Sequence, residues 1–285
     1  MARSWFAPAK LNLYLHVVGR RADGYHLLDS LVAFAGIGDE VAAAPAPALS
    51  LSLEGPAAPA LAGPVEENLV WRAAELLAAA AGRAPAASLT LTKRLPVASG
   101  IGGGSSDAAA TLRALTALWR LGFDEGALST LGARLGADVP VCLIARAAWL
   151  AGIGEAVEAA AKLPQVAALL VNPGVALATP AVFKARQGPF SAPARFEGMP
   201  ADAAGLVALL AARRNDLTAA ALTLAPEIGR VLDRLARLEG ALLARMSGSG
   251  ATCFALFAEA AAAEAAAARL GAEEPHWWVA AAALH

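Results

Sequence analysis

Residues 95–110, LPVASGIGGGSSDAAA, constrain this chain more than any other stretch. Gly100, Gly102, Gly103 and Gly104 stand between an alternating run, ASLTLTKR at 87–94, and a helix-forming run from about 105 to 120. A strand therefore enters a glycine loop and a helix leaves it. Glycine lets the backbone turn its N–H groups toward one point and lets an anion come close. The start of the helix adds its positive end. Ser105 and Ser106 add hydroxyls for phosphate oxygens or a metal. Together these are the parts of a polyphosphate cradle; a plain flexible loop is the alternative. The pattern is not a Walker A loop, which needs a lysine after its glycines. It is not a dinucleotide fingerprint either, because the third motif position is Ser105 and Pro96 stands in the entering segment.

The remaining periodicity gives an α+β chain. Residues 4–18 and 27–36 alternate as strands, linked through the turn signal Asp23-Gly24. Residues 40–53 read as further strand broken by Pro45 and Pro47, and 55–65 as loop. Residues 68–82 form a helix with Asn68 as N-cap and Gly82 just past its end. Another helix covers 125–135, and 138–150 reads as a turn and an apolar strand. Later, 165–171 and 241–246 read as strands, with helices at 200–213, 217–224, 226–237 and 258–270. Strands cluster early and helices follow, which favours α+β over repeated βαβ units. A boundary near Gly152–Gly154 divides the chain into an N-terminal α/β nucleotide-binding domain, 1–152, and a C-terminal domain, 153–285.

Composition removes several functions. Lys plus Arg is 23 and Asp plus Glu is 24, a balance that argues against a nucleic-acid binder, which needs clustered positive charge. Cys142 and Cys253 have no CxxC partner, which argues against a disulfide framework and for a reducing cytoplasm. Hydrophobic residues make up 58%, so a membrane span has to be considered. The longest uncharged run, between Lys162 and Lys184, contains Pro164, Asn172, Pro173, Gly174 and Pro180. Backbone broken that often does not satisfy itself in lipid, and the run reads as strand, turn and short helix. The segment MARSWFAPAKLNLYL lacks the uninterrupted apolar stretch of a signal peptide.

Alanine fills 78 of 285 positions, and arginine outnumbers lysine 19 to 4. Residues that resist this bias mark places of interest. The four lysines are Lys10, Lys93, Lys162 and Lys184; the four asparagines are Asn12, Asn68, Asn172 and Asn215. Most fall in short motifs: PAKLNLYL from Pro8, RRADGYH from Arg20, NLVWRAA from Asn68, KRLP from Lys93, GADVP from Gly136, NPG from Asn172, TPAVF from Thr179, NDL from Asn215 and MSGSGATCF from Met246. This ordered set, with the glycine loop, resembles the GHMP kinases, which move the γ-phosphate of ATP to small alcohols. Gly103-Gly104 departs from the simple form of their loop, where serine follows at once. The resemblance runs from about residue 5 to 257 and is weakest over 40–65 and 185–213.

The resemblance implies a two-domain fold with a ferredoxin-like C-terminal domain and a site in the cleft between the domains. Within the family it points to the branch that phosphorylates the 2-hydroxyl of a cytidine-diphosphate-linked methylerythritol, a step of the non-mevalonate isoprenoid route. ATP and Mg²⁺ are the implied cofactors. Lys10 and Asp138 would be catalytic: Asp138 orients the alcohol and collects its proton, and Lys10 holds Asp138 ionised and stabilises the attacking oxygen. Asn68, Lys93, Pro96, Gly100, Ile101, Gly102, Gly103, Gly104, Ser105 and Ser106 would bind ATP. Asn12, Tyr25, His26, Phe183 and Asp138 would bind substrate, with cytosine stacked between Tyr25 and Phe183 and its edge read by His26. Asp107, early in the helix, reads as structural. The expected partner is the small-molecule substrate, with no nucleic acid and no membrane, and a monomer or weak homodimer.

Three rival readings have weaker support. A homoserine- or mevalonate-type kinase is opposed by Gly24-Tyr25-His26 and the triple glycine. A non-catalytic nucleotide sensor is opposed by the retention of Lys10 and Asp138. A dinucleotide oxidoreductase is opposed by the missing third glycine.

Overall fold

A computed structural model describes residues 3–61 and 63–285 of the protein. Its strands are β1 (Arg3–Arg20), β2 (His26–Ala44), β3 (Ser50–Glu54), β4 (Ser88–Thr92), β5 (Ala148–Ala151), β6 (Ala156–Ala159), β7 (Ala167–Asn172), β8 (Leu243–Met246), β9 (Cys253–Phe257) and β10 (Trp278–Ala283). Its helices are α1 (Leu69–Ala80), α2 (Gly103–Leu118), α3 (Glu125–Ala133), α4 (Val139–Ile144), α5 (Thr179–Ala185), α6 (Ala203–Ala211), α7 (Thr218–Leu224), α8 (Glu227–Ala236) and α9 (Ala260–Glu273).

The chain forms two compact units that interleave in sequence. The first holds residues 1–9, 38–97 and 102–145; the second holds 10–37, 98–101 and 146–285. A single division at residue 152 was expected. The reason for the difference is strand length: β1 and β2 have 18 and 19 residues, so each passes through both units.

In the first unit, the end of β2 pairs antiparallel with β4, Glu40 opposite Thr92 and Ala44 opposite Ser88. β3 runs parallel to β4 with Ser50 opposite Ser88. A parallel pair needs a crossover, and α1 supplies it. Its buried residues Val70, Ala73, Ala74, Leu77 and Ala78 form one stripe at helical spacing. Asn68 caps α1, its side chain accepting from Val70 N at 2.9 Å. Gly82 follows the helix at φ +61, the left-handed step that ends many helices.

The expected strand over 138–150 is corrected. Residues 139–144 are α4, and β5 begins only at Ala148. The sequence VPVCLI looks strand-like by its branched apolar residues. Pro140, however, falls in the first turn of a helix, where no N–H is needed. Residue 62 of the expected 55–65 loop lies outside the described residues; Ala58–Ala60 form a single 3₁₀ turn.

In the second unit, Ser30–Val32 of β2 pair antiparallel with β5, which pairs with β6. A separate antiparallel sheet has the order β10-β7-β9-β8. Leu169, Val171, Ala255 and Phe257 of this sheet share a core with Ile228, Val231 and Leu235 of α8 and Ala263 and Leu270 of α9. Each large aliphatic side chain there stabilises by about 1.5–3 kcal/mol. The run from Lys162 to Lys184 resolves into β7, a turn and α5. Among the described residues, no helix is long and apolar enough to cross a membrane.

Candidate active site

The first unit holds the two ends of the glycine-rich segment, residues 95–97 and 102–106. Gly102 sits just before α2 at φ +65, a backbone state that glycine adopts without strain. The first amides of α2 have no earlier helical carbonyl to bond, so this terminus favours an anion. Ser105 is half-buried. Ser106 is buried and its hydroxyl donates to Pro8 O at 2.7 Å. Of the two hydroxyls expected at phosphate, that of Ser106 is thus engaged by the protein itself.

Behind this helix start lies a buried charge cluster. Lys93 Nζ is 2.5 Å from Asp39 Oδ2 and 2.6 Å from Asp107 Oδ2. Asp39 Oδ1 accepts from the amides of Arg94 at 2.6 Å and Leu95 at 2.8 Å. All three side chains are almost fully buried. Burial opposes the charge on Lys93, but Asp107 and Asp39 together raise its pKa above the ordinary lysine value. Burial pushes the Asp107 carboxyl up to about 7, against the pull of Lys93 and with a contribution from Asp39. Asp107 was expected near the helix terminus. It is instead the fifth residue of α2 and points to Lys93. Asp39 was not anticipated; the signal was the acidic pair Asp39-Glu40 inside the otherwise apolar strand GIGDEVAAA.

Asp138 immediately precedes α4; its carbonyl accepts from Cys142 N at 3.1 Å, but its side chain makes no capping bond to the helix. A capping or turn role was the alternative to catalysis, and the capping half of it is absent.

In the second unit, the middle of the glycine segment meets the second glycine loop. Ser247 Oγ donates to Gly100 O at 3.1 Å, and Thr252 N donates to Ser99 O at 3.0 Å. Gly100 has φ +75, and a Cβ there would lie 2.6 Å from Gly250 O. Glycine is therefore required at 100 by both conformation and space. Ile101 is buried, and its carbonyl accepts from Lys10 N at 2.8 Å. This carries β1 past the loop and sets the backbone from which Lys10 projects.

Asn12 is buried, with its backbone N–H on Ser247 Oγ at 3.1 Å and its Nδ2 on Ser30 Oγ at 2.9 Å. Among the described residues its Oδ1 has no hydrogen-bond partner. A buried acceptor left unmatched is costly and uncommon, and a hydroxyl or amino group of a ligand would satisfy it.

Tyr25 follows the Arg21–Gly24 turn and is 61% exposed. His26 stacks on Phe183, with centroids 5.2 Å apart and 24° between planes. Burial, then Arg20 and Arg186, lower the His26 pKa below the ordinary value, which keeps the ring neutral near pH 7. The structure thus brings His26 and Phe183 together and leaves Tyr25 as an open ring.

A two-unit α+β fold with a glycine cradle at a helix start defines a class of small-molecule kinases. The sequence matches the GHMP kinases N terminal domain over residues 68–146 and GHMP kinases C terminal over residues 200–276. The chain belongs to the GHMP kinase family. It is 56% identical over 278 residues to 4-diphosphocytidyl-2-C-methyl-D-erythritol kinase of Paramagnetospirillum magneticum, covering 98% of this chain and 97% of that protein. A crystal structure of 4-(cytidine 5'-diphospho)-2C-methyl-D-erythritol kinase superposes with TM-score 0.79 at 37% identity, covering 100% of this chain and 99% of that one. Homoserine kinase from Cytophaga hutchinsonii gives TM-score 0.68 at 17% identity, covering 99% and 94%; that likeness is one of fold alone.

Proposed function

We propose that this protein transfers the γ-phosphate of ATP to the 2-hydroxyl of 4-diphosphocytidyl-2-C-methyl-D-erythritol, in the non-mevalonate route to isoprenoid precursors. The observation that carries the reading is the near full-length similarity to a kinase of that name at 56% identity. The geometry supports it through the glycine cradle and the aromatic turn at Tyr25-His26.

The alcohol oxygen attacks the γ-phosphorus, the bond to the ADP oxygen breaks, and the alcohol proton passes to Asp138. A carboxylate is a weak base for an alcohol. In a loose transition state the proton leaves late, so Asp138 chiefly orients the hydroxyl. Lys10 offers its ammonium to the charge developing on the transferred group. The amides at the start of α2 hold the phosphates. Asn12 Oδ1 takes a hydrogen bond from the substrate, Tyr25 stacks on cytosine, and His26 reads its edge.

No group of three or more His, Cys, Asp or Glu among the described residues is arranged to hold a metal. Mg²⁺ keeps much of its water and is commonly held by nucleotide phosphates with few protein groups. Bound with ATP, it would neutralise phosphate charge. We infer a cytoplasmic enzyme that works as a monomer or weak homodimer.

The test is ADP release with ATP, Mg²⁺ and the cytidine-diphosphate substrate, run beside homoserine and mevalonate. Turnover on the first alone is expected. Turnover on another alcohol would overturn the cytosine pocket, and silence on all three with ATP bound would indicate a sensor.

A further inference from the structure

We propose that Lys93 is a positioning residue, whose ammonium clasps Asp39 and Asp107 and so presets the two first-unit ends of the phosphate loop. The inference rests on the reading of residues 95–106 as the ATP cradle and assigns a different role to one residue first expected to touch the nucleotide.

The clasp is a continuous chain of bonds. The amides of Arg94 and Leu95, where the chain enters the loop, donate to Asp39 Oδ1. Asp39 Oδ2 binds Lys93 Nζ, and the same nitrogen binds Asp107 Oδ2 on α2. Asp107 lies four residues beyond Gly103, one turn into the helix whose first amides form the cradle. Entry and exit are thereby tied through one nitrogen. An ammonium has three donors and no acceptor; two donors here are committed to carboxylates, and the residue is 3% exposed. Electrostatics agree, since an ammonium between two carboxylates has little net positive charge left to offer a phosphate.

The clasp also explains the extra glycine. A Cβ at Gly103 would stand 3.1 Å from Lys93 Nζ and 3.7 Å from Asp39 Oδ2. The simple family loop places serine after its second glycine. Here that position carries no side chain, and the ammonium occupies the space beside it. Gly103 is not among the residues with positive φ, so its tightest constraint is this approach to the ammonium and not a turn.

Positioning and direct contact predict opposite results for Asp39→Asn. If Lys93 were a phosphate ligand, weakening its hold on Asp39 would leave ATP affinity unchanged or tighten it. If the clasp presets the loop, Asp39→Asn loosens the loop and weakens ATP binding about 10- to 100-fold, in the range that small misplacements of a catalytic frame produce. ATP and cytidine-substrate affinities are measured calorimetrically on full-length wild type, Asp39→Asn, Asp107→Asn and Lys93→Met, each checked for folding by circular dichroism. The expected result is a selective loss of ATP affinity in all three variants, with the cytidine substrate unaffected and the double variant Asp39→Asn/Lys93→Met no worse than the poorer single one. A general loss of structure would lower both affinities. Unchanged or tighter ATP binding in Asp39→Asn, additive losses, or equal losses for both ligands would each overturn the proposal. Should Asp39→Asn fail to fold, the isosteric Asp107→Asn carries the same comparison. Wild type that binds no ATP would instead remove the nucleotide reading itself.

Discussion

Asn215 holds the loop at Met246–Gly248 with a single amide: its Nδ2 donates to Met246 O and to Gly248 O, each at 2.8 Å. Its Oδ1 accepts from Leu217 N at 2.9 Å, so the whole side chain is engaged. Asn215→Ala should leave buried carbonyls unmatched and cost about 1–3 kcal/mol, with a lower kcat because Ser247 in that loop also binds Asn12. Urea unfolding and steady-state assays check it; an unchanged midpoint would show that the loop holds itself.

Asp138→Asn keeps the shape and removes the proton acceptor. We expect kcat to fall by several orders of magnitude while ATP affinity stays near wild type. Turnover at the original rate would remove Asp138 from the base role. Lys10→Met should also act on kcat more than on either KM.

Tyr25 is an exposed ring with little to stabilise in the fold. Tyr25→Ala should therefore leave the melting temperature in place and raise KM for the cytidine substrate, since stacking contributes about 1–3 kcal/mol per base. Phe183 packs against the second unit's core. Phe183→Ala should raise the same KM and also lower stability. An effect confined to KM for ATP would reverse the assignment.

Gly100→Ala forces a Cβ to within 2.6 Å of a backbone oxygen at φ +75. The neighbour is backbone and does not yield cheaply. We expect the loop to shift and ATP affinity to drop at least about tenfold, measured by titration calorimetry. Wild-type affinity would mean that the 98–101 bend does not shape the cradle.

The His26 pKa is lowered, so the folded protein binds this proton less readily than the unfolded chain. Its contribution to stability is present above the ordinary histidine value and is lost as pH falls through the lowered one. Burial first, then the charges of Arg20 and Arg186, oppose the protonated ring. KM for the cytidine substrate should be flat above pH 7 and should rise at acid pH. In His26→Gln the KM should be higher throughout and free of that rise. A rise that persists in the variant would assign the titration elsewhere.

The rare residues were good guides to place and poorer guides to role. Lys10 and Lys93 are buried, while Lys162 and Lys184, outside the two buried motifs, are exposed. Asn68 caps a helix, Asn172 ties Thr252 at 2.9 Å, and Asn215 holds a loop. A motif lists residue types at a spacing, and a spacing does not say whether an amide faces a ligand or a carbonyl. Helix α8 was legible because its apolar stripe repeats every turn. The short helix α4 was not, because Val139, Val141, Leu143 and Ile144 fit either element and Pro140 decided the matter. Asp39 was hard to read because its partners Lys93, Arg94 and Leu95 lie 54 to 56 residues away along the chain.

The interleaving of β1 and β2 bears on how the protein is made. Residues 10–37 leave the ribosome early, yet Ser30 pairs with Leu150, and Phe34 exchanges backbone hydrogen bonds with His285. Contacts so distant along the chain form slowly, because a long loop must close before any bond rewards it. Until then the apolar strand around Leu11, Leu13 and Leu15 waits for its cover. The second unit is therefore a product of the whole chain, and a fragment beginning at residue 153 would be synthesised without β5 and without the unit's share of β1 and β2.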